Sequence, residues 1–132
     1  MALDTGLVVP VVKSADKLSL EEISVETKRL ITLARAGDIG GDDMAGGTFS
    51  ITNLGTAGID TFNPIINYPQ SAILGIGRAV EKPVVRDGNI VIRPIISLSL
   101  THDHRVIDGT PAADFLKTVV EYIENPWILL MD

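Results

Sequence analysis

The residues of this chain best placed to do chemistry are gathered in Asp103-His104-Arg105-Val106-Ile107-Asp108-Gly109. Histidine is the side chain whose ordinary pKa lets it take and return a proton near neutral pH. His104 follows Ile90 to Leu100, a run rich in Ile, Leu and Val that is interrupted by Arg93-Pro94. It precedes Thr110-Pro111, which reads as a helix N-cap with Pro at the first helical position. The histidine is therefore predicted at a strand end just before a tight turn, where a rigid element fixes the side chain and a loop lets a ligand approach. A histidine four residues ahead of Asp-Gly also occurs as a plain structural residue, so this spacing does not decide between the two by itself.

The elements that would position this stretch can be followed along the chain. Leu7 to Val12 is a short apolar run that fits a strand buried on both faces, with Pro10 marking an edge or bulge. Ser19-Leu20-Glu21-Glu22 is a capping-box pattern, and the helix it opens carries Leu20, Ile23, Leu30, Ile31 and Ala34 mostly on one stripe, with Gly37 as its stop. Asp38 to Gly47 is glycine-rich and acidic, but its spacing does not match a calcium loop, and it reads as a solvated turn. In Thr48 to Asn53, apolar and hydroxyl residues alternate, so Phe49 and Ile51 are expected on the core side. Leu54 to Asp60 has two glycines suited to a turn, without the Gly-Lys-Ser/Thr of a nucleotide loop. Asn63 to Pro69 is an extended, proline-bounded loop. Ser71 to Ile76 and Ala79 to Val85 read as strands, and Arg86-Asp87-Gly88-Asn89 as a hairpin turn into the strand Ile90 to Leu100. A last helix, Pro111 to Glu124, presents Ala112, Phe115, Leu116, Val119, Val120 and Ile123 as a core face and stops at Asn125-Pro126. Trp127 to Met131 follows as an apolar tail that must dock on its own domain or on a neighbour.

Composition closes off several functions. The chain has 132 residues, 45% of them hydrophobic and 21% charged, enough for one compact domain. The absence of cysteine rules out disulfides, thiolate metal sites and a cysteine nucleophile, and fits a reducing compartment. The two histidines, His102 and His104, cannot by themselves build a histidine-rich metal centre, so no metal is expected. A net charge of -6 argues against general nucleic-acid binding. No stretch is long and apolar enough to span a membrane, and Met1-Ala2-Leu3-Asp4 lacks the basic start of a signal peptide. A soluble, intracellular protein is expected. A serine hydrolase built on His104 and Asp108 is a poor reading, because the chain has no Gly-x-Ser-x-Gly elbow.

Four segments together carry a resemblance: Gly46 to Gly55, Pro64 to Asn67, Ala72 to Gly75 and Ser97 to Gly109. In this order and spacing the chain, from Leu7 onward, closely resembles the catalytic domain of the dihydrolipoyl acyltransferases, core components of the 2-oxo acid dehydrogenase complexes. The resemblance implies an α/β (α+β) chloramphenicol acetyltransferase-like two-layer fold, a mixed β-sheet packed against helices. It also implies that residues 1–132 are the C-terminal portion of a single catalytic domain that extends upstream of this chain, and that the family's lipoyl and subunit-binding domains precede it.

The implied reaction moves an acyl group, acetyl by default, between dihydrolipoamide and coenzyme A. A free thiol has a pKa of about 8.5, so a base near the working pH is the natural aid to attack. His104 matches the family's general base. Thr52 matches the position whose hydroxyl stabilises the tetrahedral oxyanion, where many relatives have serine; threonine keeps the O–H and adds a methyl. Asp108 matches an aspartate that holds the turn. In the related chloramphenicol acetyltransferase its partner is an arginine from earlier in the domain. His102 stands where relatives usually have an aromatic residue and reads as packing. The resemblance further implies a homotrimer with its sites between subunits, assembled into a cage through the tail Trp127 to Met131. Its partners are a 2-oxo acid decarboxylase and a dihydrolipoyl dehydrogenase, and its location is the cytoplasm or the mitochondrial matrix. The competing expectation is that a chain of this extent is an inactive structural or assembly module of the complex core.

Overall fold

The computed structural model describes residues 1–3 and 6–130. They fall into two compact units, Met1–Thr48 and Phe49–Asp132.

In the first unit, β1 (Ala2–Leu3) pairs antiparallel with β2 (Gly6–Leu7). The predicted strand Leu7 to Val12 is thus corrected to its first residue. Pro10 has no N–H to give a ladder, and beyond Leu7 the N–H of Val11 turns to the carbonyl of Asp43 at 2.8 Å instead. Helix α1 (Leu20–Ala36) opens as the sequence predicts. Ser19 Oγ accepts from the Glu22 N–H at 3.2 Å, and Glu22 Oε2 accepts from the Ser19 N–H at 2.7 Å. The Ser19 N–H, then its hydroxyl, hold the Glu22 carboxyl below its ordinary pKa. Gly37 closes the helix. Leu30 and Ala34 of the predicted stripe are buried, whereas Leu20 at the helix start is exposed. The acidic turn is organised by Arg29, which donates to Glu26 at 2.7 Å and to Asp43 at 2.8 Å and thereby lowers the Asp43 carboxyl.

The second unit is a mixed three-stranded sheet in the order β3-β4-β5 with helix α2 against it. β3 (Ser50–Asn53) lies parallel to β4 (Ala72–Arg86), and β4 antiparallel to β5 (Asn89–His102). The two strands expected at Ser71 to Ile76 and Ala79 to Val85 are one strand whose pairing slips between Ile76 and Ala79. Gly77 lies in that irregularity because nothing larger fits: a Cβ there would sit 1.9 Å from the carbonyl oxygen of Asp60. The loop after β3 is stitched across this point by the Leu54 N–H on Ile76 O (3.1 Å) and the Arg78 N–H on Ile59 O (2.8 Å). The hairpin forms as predicted, with Asp87 at φ 52° and Gly88 at φ 78°, the positive values that a two-residue turn between twisted strands needs.

The alternation in β3 is present, but its burial is the reverse of the expectation. Ser50 is 7% exposed and Ile51 67%. The register explains this. Ser50, Thr52, Ile73 and Gly75 share one face, and Phe62 and Pro64 fold over it close to Gly75, while Gln70 accepts the Ser50 hydroxyl at 2.6 Å. Phe49 and Ile51 lie on the other face of an edge strand, where α2 (Gly109–Glu124) reaches Phe49 through Phe115, ring centroids 5.7 Å apart, and leaves Ile51 exposed. Leu116, Val120 and Ile123 of α2 line an apolar groove with Ile76, Ile96 and Leu98, so the predicted core face does meet the sheet, although Phe115 and Ile123 keep much of their surface. The helix starts two residues earlier than predicted: Asp108, not Thr110, is the N-cap, its carbonyl accepting the Ala112 N–H at 3.2 Å. Pro111 is tolerated because the first-turn N–H groups have no partner within the helix. No described helix is long and apolar enough to cross a membrane.

Candidate active site

His104 lies two residues past β5, in the turn that leads into α2, and its side chain is 73% exposed. The turn is built by the residue before it. The Asp103 N–H donates to Ser71 O at 2.8 Å, tying the loop to the start of β4, and the Asp103 carbonyl accepts the N–H groups of Val106 (2.9 Å) and Ile107 (3.0 Å). Asp103 Oδ1 then accepts the Arg105 N–H at 3.0 Å and Arg105 Nε at 2.9 Å, while Oδ2 accepts Arg105 Nη2 at 2.6 Å. The guanidinium, then the backbone N–H of Arg105, hold the Asp103 carboxyl at a pKa of about 2, and the carboxylate raises that of Arg105 in return.

Asp108 Oδ1 stands 3.8 Å from His104 Nδ1, close enough for electrostatic influence and too far for a hydrogen bond. Its geometric task is at the helix: it caps α2, and its carboxylate lies at the end where the helix dipole favours negative charge. The His102 ring is half-buried with its centroid 5.7 Å from that of His104, and its Nε2 is buried with no hydrogen-bond partner among the described residues.

Thr52 belongs to a different kind of structure. It lies inside β3, paired with Gly75, and Asn53 next to it turns its Oδ1 back onto the Gly55 N–H at 2.8 Å to start the loop. Across the sheet the row through Thr52 runs Thr52, Gly75, Ser99. His102 is three residues further along β5 than Ser99, so two strand spacings and three residue steps put the Cα atoms of Thr52 and His102 about 14 Å apart. His104 lies beyond that point. Within one chain the structure therefore brings His104 and Asp108 together and leaves Thr52 apart.

Two features of the site escaped the sequence reading. The Asp103-Arg105 turn had a signal, an aspartate at a strand end two residues before a donor, which is a recurrent turn-forming arrangement. The close fit of Gly77 under Asp60 had none, since it joins residues far apart in sequence. No cluster of three or more His, Cys, Asp or Glu side chains suited to a metal lies among the described residues.

The family described as 2-oxoacid dehydrogenases acyltransferase (catalytic domain) matches residues 1–131. Among curated proteins, the chain is 47% identical over 129 residues to the dihydrolipoyllysine-residue acetyltransferase component of the pyruvate dehydrogenase complex of Staphylococcus aureus, covering 98% of this chain and 30% of that protein. Among solved structures it superposes with a TM-score of 0.89 and 39% identity on the dihydrolipoamide acetyltransferase of Azotobacter vinelandii, over 96% of this chain and 52% of that one. That structure was determined to investigate a serine, a histidine and an asparagine in the catalytic mechanism, separated by 52 and 4 positions. The cubic core of the pyruvate dehydrogenase multienzyme complex superposes equally well, with a TM-score of 0.89 at 39% identity over 96% of this chain and 52% of that one. The chain thus spans about a third of the curated relative and about half of each solved chain. By sequence and by fold, this chain belongs to the acyltransferase family of the 2-oxoacid dehydrogenases, within its catalytic domain.

Proposed function

We propose that the protein carrying this chain is a dihydrolipoamide acyltransferase that moves an acyl group, acetyl by default, between dihydrolipoamide and coenzyme A. One observation carries the reading furthest. Thr52, His104 and Asp108 are separated by 52 and 4 positions, as are the serine, histidine and asparagine of the Azotobacter enzyme. In this mechanism His104 takes the proton from the coenzyme A thiol, and the resulting sulfur nucleophile adds to the thioester carbonyl of acyl-dihydrolipoamide. The Thr52 hydroxyl donates to the oxyanion so formed, which needs an oriented donor and not the serine hydroxyl in particular. Collapse expels the dihydrolipoyl sulfur, which takes the proton back from His104, leaving acyl-coenzyme A and dihydrolipoamide. Asp108 caps α2 and keeps the His104 loop in place. No step calls for a metal.

The separation of Thr52 from His104 supports a site shared between copies, with His104 from one subunit and Thr52 from the next, in a homotrimer. The exposed Ile51, Trp127 and Leu129 support further assembly, the tail joining trimers into a cage. Met131, at the end of that tail, lies outside the described residues. The natural partners are the decarboxylase that loads the lipoyl group and the dehydrogenase that reoxidises it. Dependence on free thiols supports a reducing compartment, the bacterial or archaeal cytoplasm or the mitochondrial matrix. The test is acetyl transfer from acetyl-dihydrolipoamide to coenzyme A by the complete protein and by its His104→Ala variant. Loss of roughly a thousandfold or more in turnover, with the fold intact, is expected, because proton transfer rather than packing is removed.

A further inference from the structure

We infer that Asp103 is a positioning residue for His104, fixing the orientation of the base by closing a turn across it through the Arg105 N–H. The inference rests on the assignment of His104 as base. The imidazole is exposed, Asp108 stands at 3.8 Å from it, and no hydrogen bond to its own ring holds it among the described residues. Its direction must therefore come from the backbone on either side. On one side Asp103 is pinned to Ser71, just ahead of β4; on the other, Arg105 is pinned to the Asp103 carboxylate at 3.0 Å, so that His104 sits within a closed ring of hydrogen bonds. The Asp103 side chain is 21% exposed and that of Arg105 86%. The guanidinium end of the pair is therefore solvated and worth little, and the N–H that Oδ1 accepts is the part that shapes the turn. The carboxyl pKa of about 2 keeps Oδ1 an anionic acceptor wherever thiol chemistry is feasible.

The test is steady-state kinetics of the complete protein carrying Asp103→Ala, Asp103→Asn and Arg105→Ala, with His104→Ala and the double variant Asp103→Ala/His104→Ala beside them. A displaced base costs up to about 100-fold, so Asp103→Ala is expected to lower kcat roughly 30- to 100-fold while the KM for coenzyme A moves less than about twofold. Asp103→Asn, whose Oδ1 still accepts the N–H, and Arg105→Ala, whose N–H remains, should each stay within about fivefold of wild type. Residues that act through one another are non-additive, so Asp103→Ala should subtract nothing further once His104 is alanine. Should Asp103→Ala fail to assemble, Asp103→Ser, with a hydroxyl that makes the same turn more weakly, is expected to lose about tenfold with the same non-additivity. Wild-type turnover in Asp103→Ala, an equal loss in Asp103→Asn, or an additional loss on the His104→Ala background would each overturn the inference. If His104→Ala itself keeps a tenth of the activity, the base assignment fails first and the positioning role goes with it.

Discussion

The segment around Thr52 and the segment around His104 are held by different means. Thr52 sits within a strand, its backbone committed to β4, and the loop that follows is locked onto Gly77, where no side chain can enter. His104 sits outside the sheet in a turn held by the backbone and carboxylate of Asp103, exposed over 73% of its side chain. A hydroxyl that must donate to an oxyanion gains from a fixed backbone, because the donor has to be aimed before charge develops. A base that must reach a thiol on a long, flexible substrate gains from a site that solvent and substrate can enter. The roughly 14 Å between Thr52 and His102 is set by sheet register alone, and His104 lies past it, in the loop beyond the end of β5.

The sharpest way to break the comparison is at the exposed end. His104→Ala should lower turnover by about 10³ or more with an unchanged circular dichroism spectrum, since an exposed side chain contributes little to packing. Retention of a tenth of the activity would remove His104 from the mechanism. Next comes Thr52→Ala, expected to lose roughly 10²–10³ in kcat with little change in KM for coenzyme A, and Thr52→Ser, expected to be nearly silent. An alanine variant at full rate would place the oxyanion donor elsewhere.

The locked segment is tested by stability instead. Gly77→Ala forces a methyl onto the Asp60 carbonyl and should destabilise by about 3 kcal/mol, read from denaturant midpoints. Gly109→Ala, at the helix start with open space around its Cβ position, should change stability by less than about 0.5 kcal/mol. Equal effects would mean that the loop after β3 yields as easily as the helix start.

The smallest effect is electrostatic. With its folded pKa depressed to about 2 from an ordinary value of 3.8, Asp103 contributes stability that is fully present above about pH 4 and is lost as pH falls through about 2. Following the Asp103 carboxyl carbon by NMR should give a midpoint near 2; a midpoint near 3.8 would show that Arg105 does not hold it.

Much of this was legible in the sequence because it is local. The capping box at Ser19 and Glu22, the Asp87-Gly88 turn and the helical spacing from Ala112 to Ile123 each depend on residues within a few positions of one another. The His104 loop was legible for the same reason, together with the resemblance that linked it to Thr52. What failed depended on distant partners. Alternation in β3 predicted two faces but not which would be covered, because that is settled by Phe62 and Pro64 on one side and by how far α2 reaches on the other. The apolar run Leu7 to Val12 looked like a strand, but a strand needs a partner along its length, and β1 offers only two residues. The helix starts from Asp108 rather than Thr110 because the Asp108 backbone is extended and its carbonyl already accepts the first intrahelical N–H, that of Ala112.

The measurement that bears most directly on the central claim, a site shared between copies, is complementation. Complete protein carrying His104→Ala and complete protein carrying Thr52→Ala would be co-expressed in equal amounts, and acetyl transfer to coenzyme A measured on the purified mixed assembly. If one copy supplies the base and its neighbour the hydroxyl, random mixing around a closed ring leaves about a quarter of the interfaces with both groups intact, and about a quarter of wild-type activity should return from two inactive parents. Activity no higher than that of either parent alone would contradict the account, because it would mean that Thr52 and His104 serve the same reaction from within a single chain.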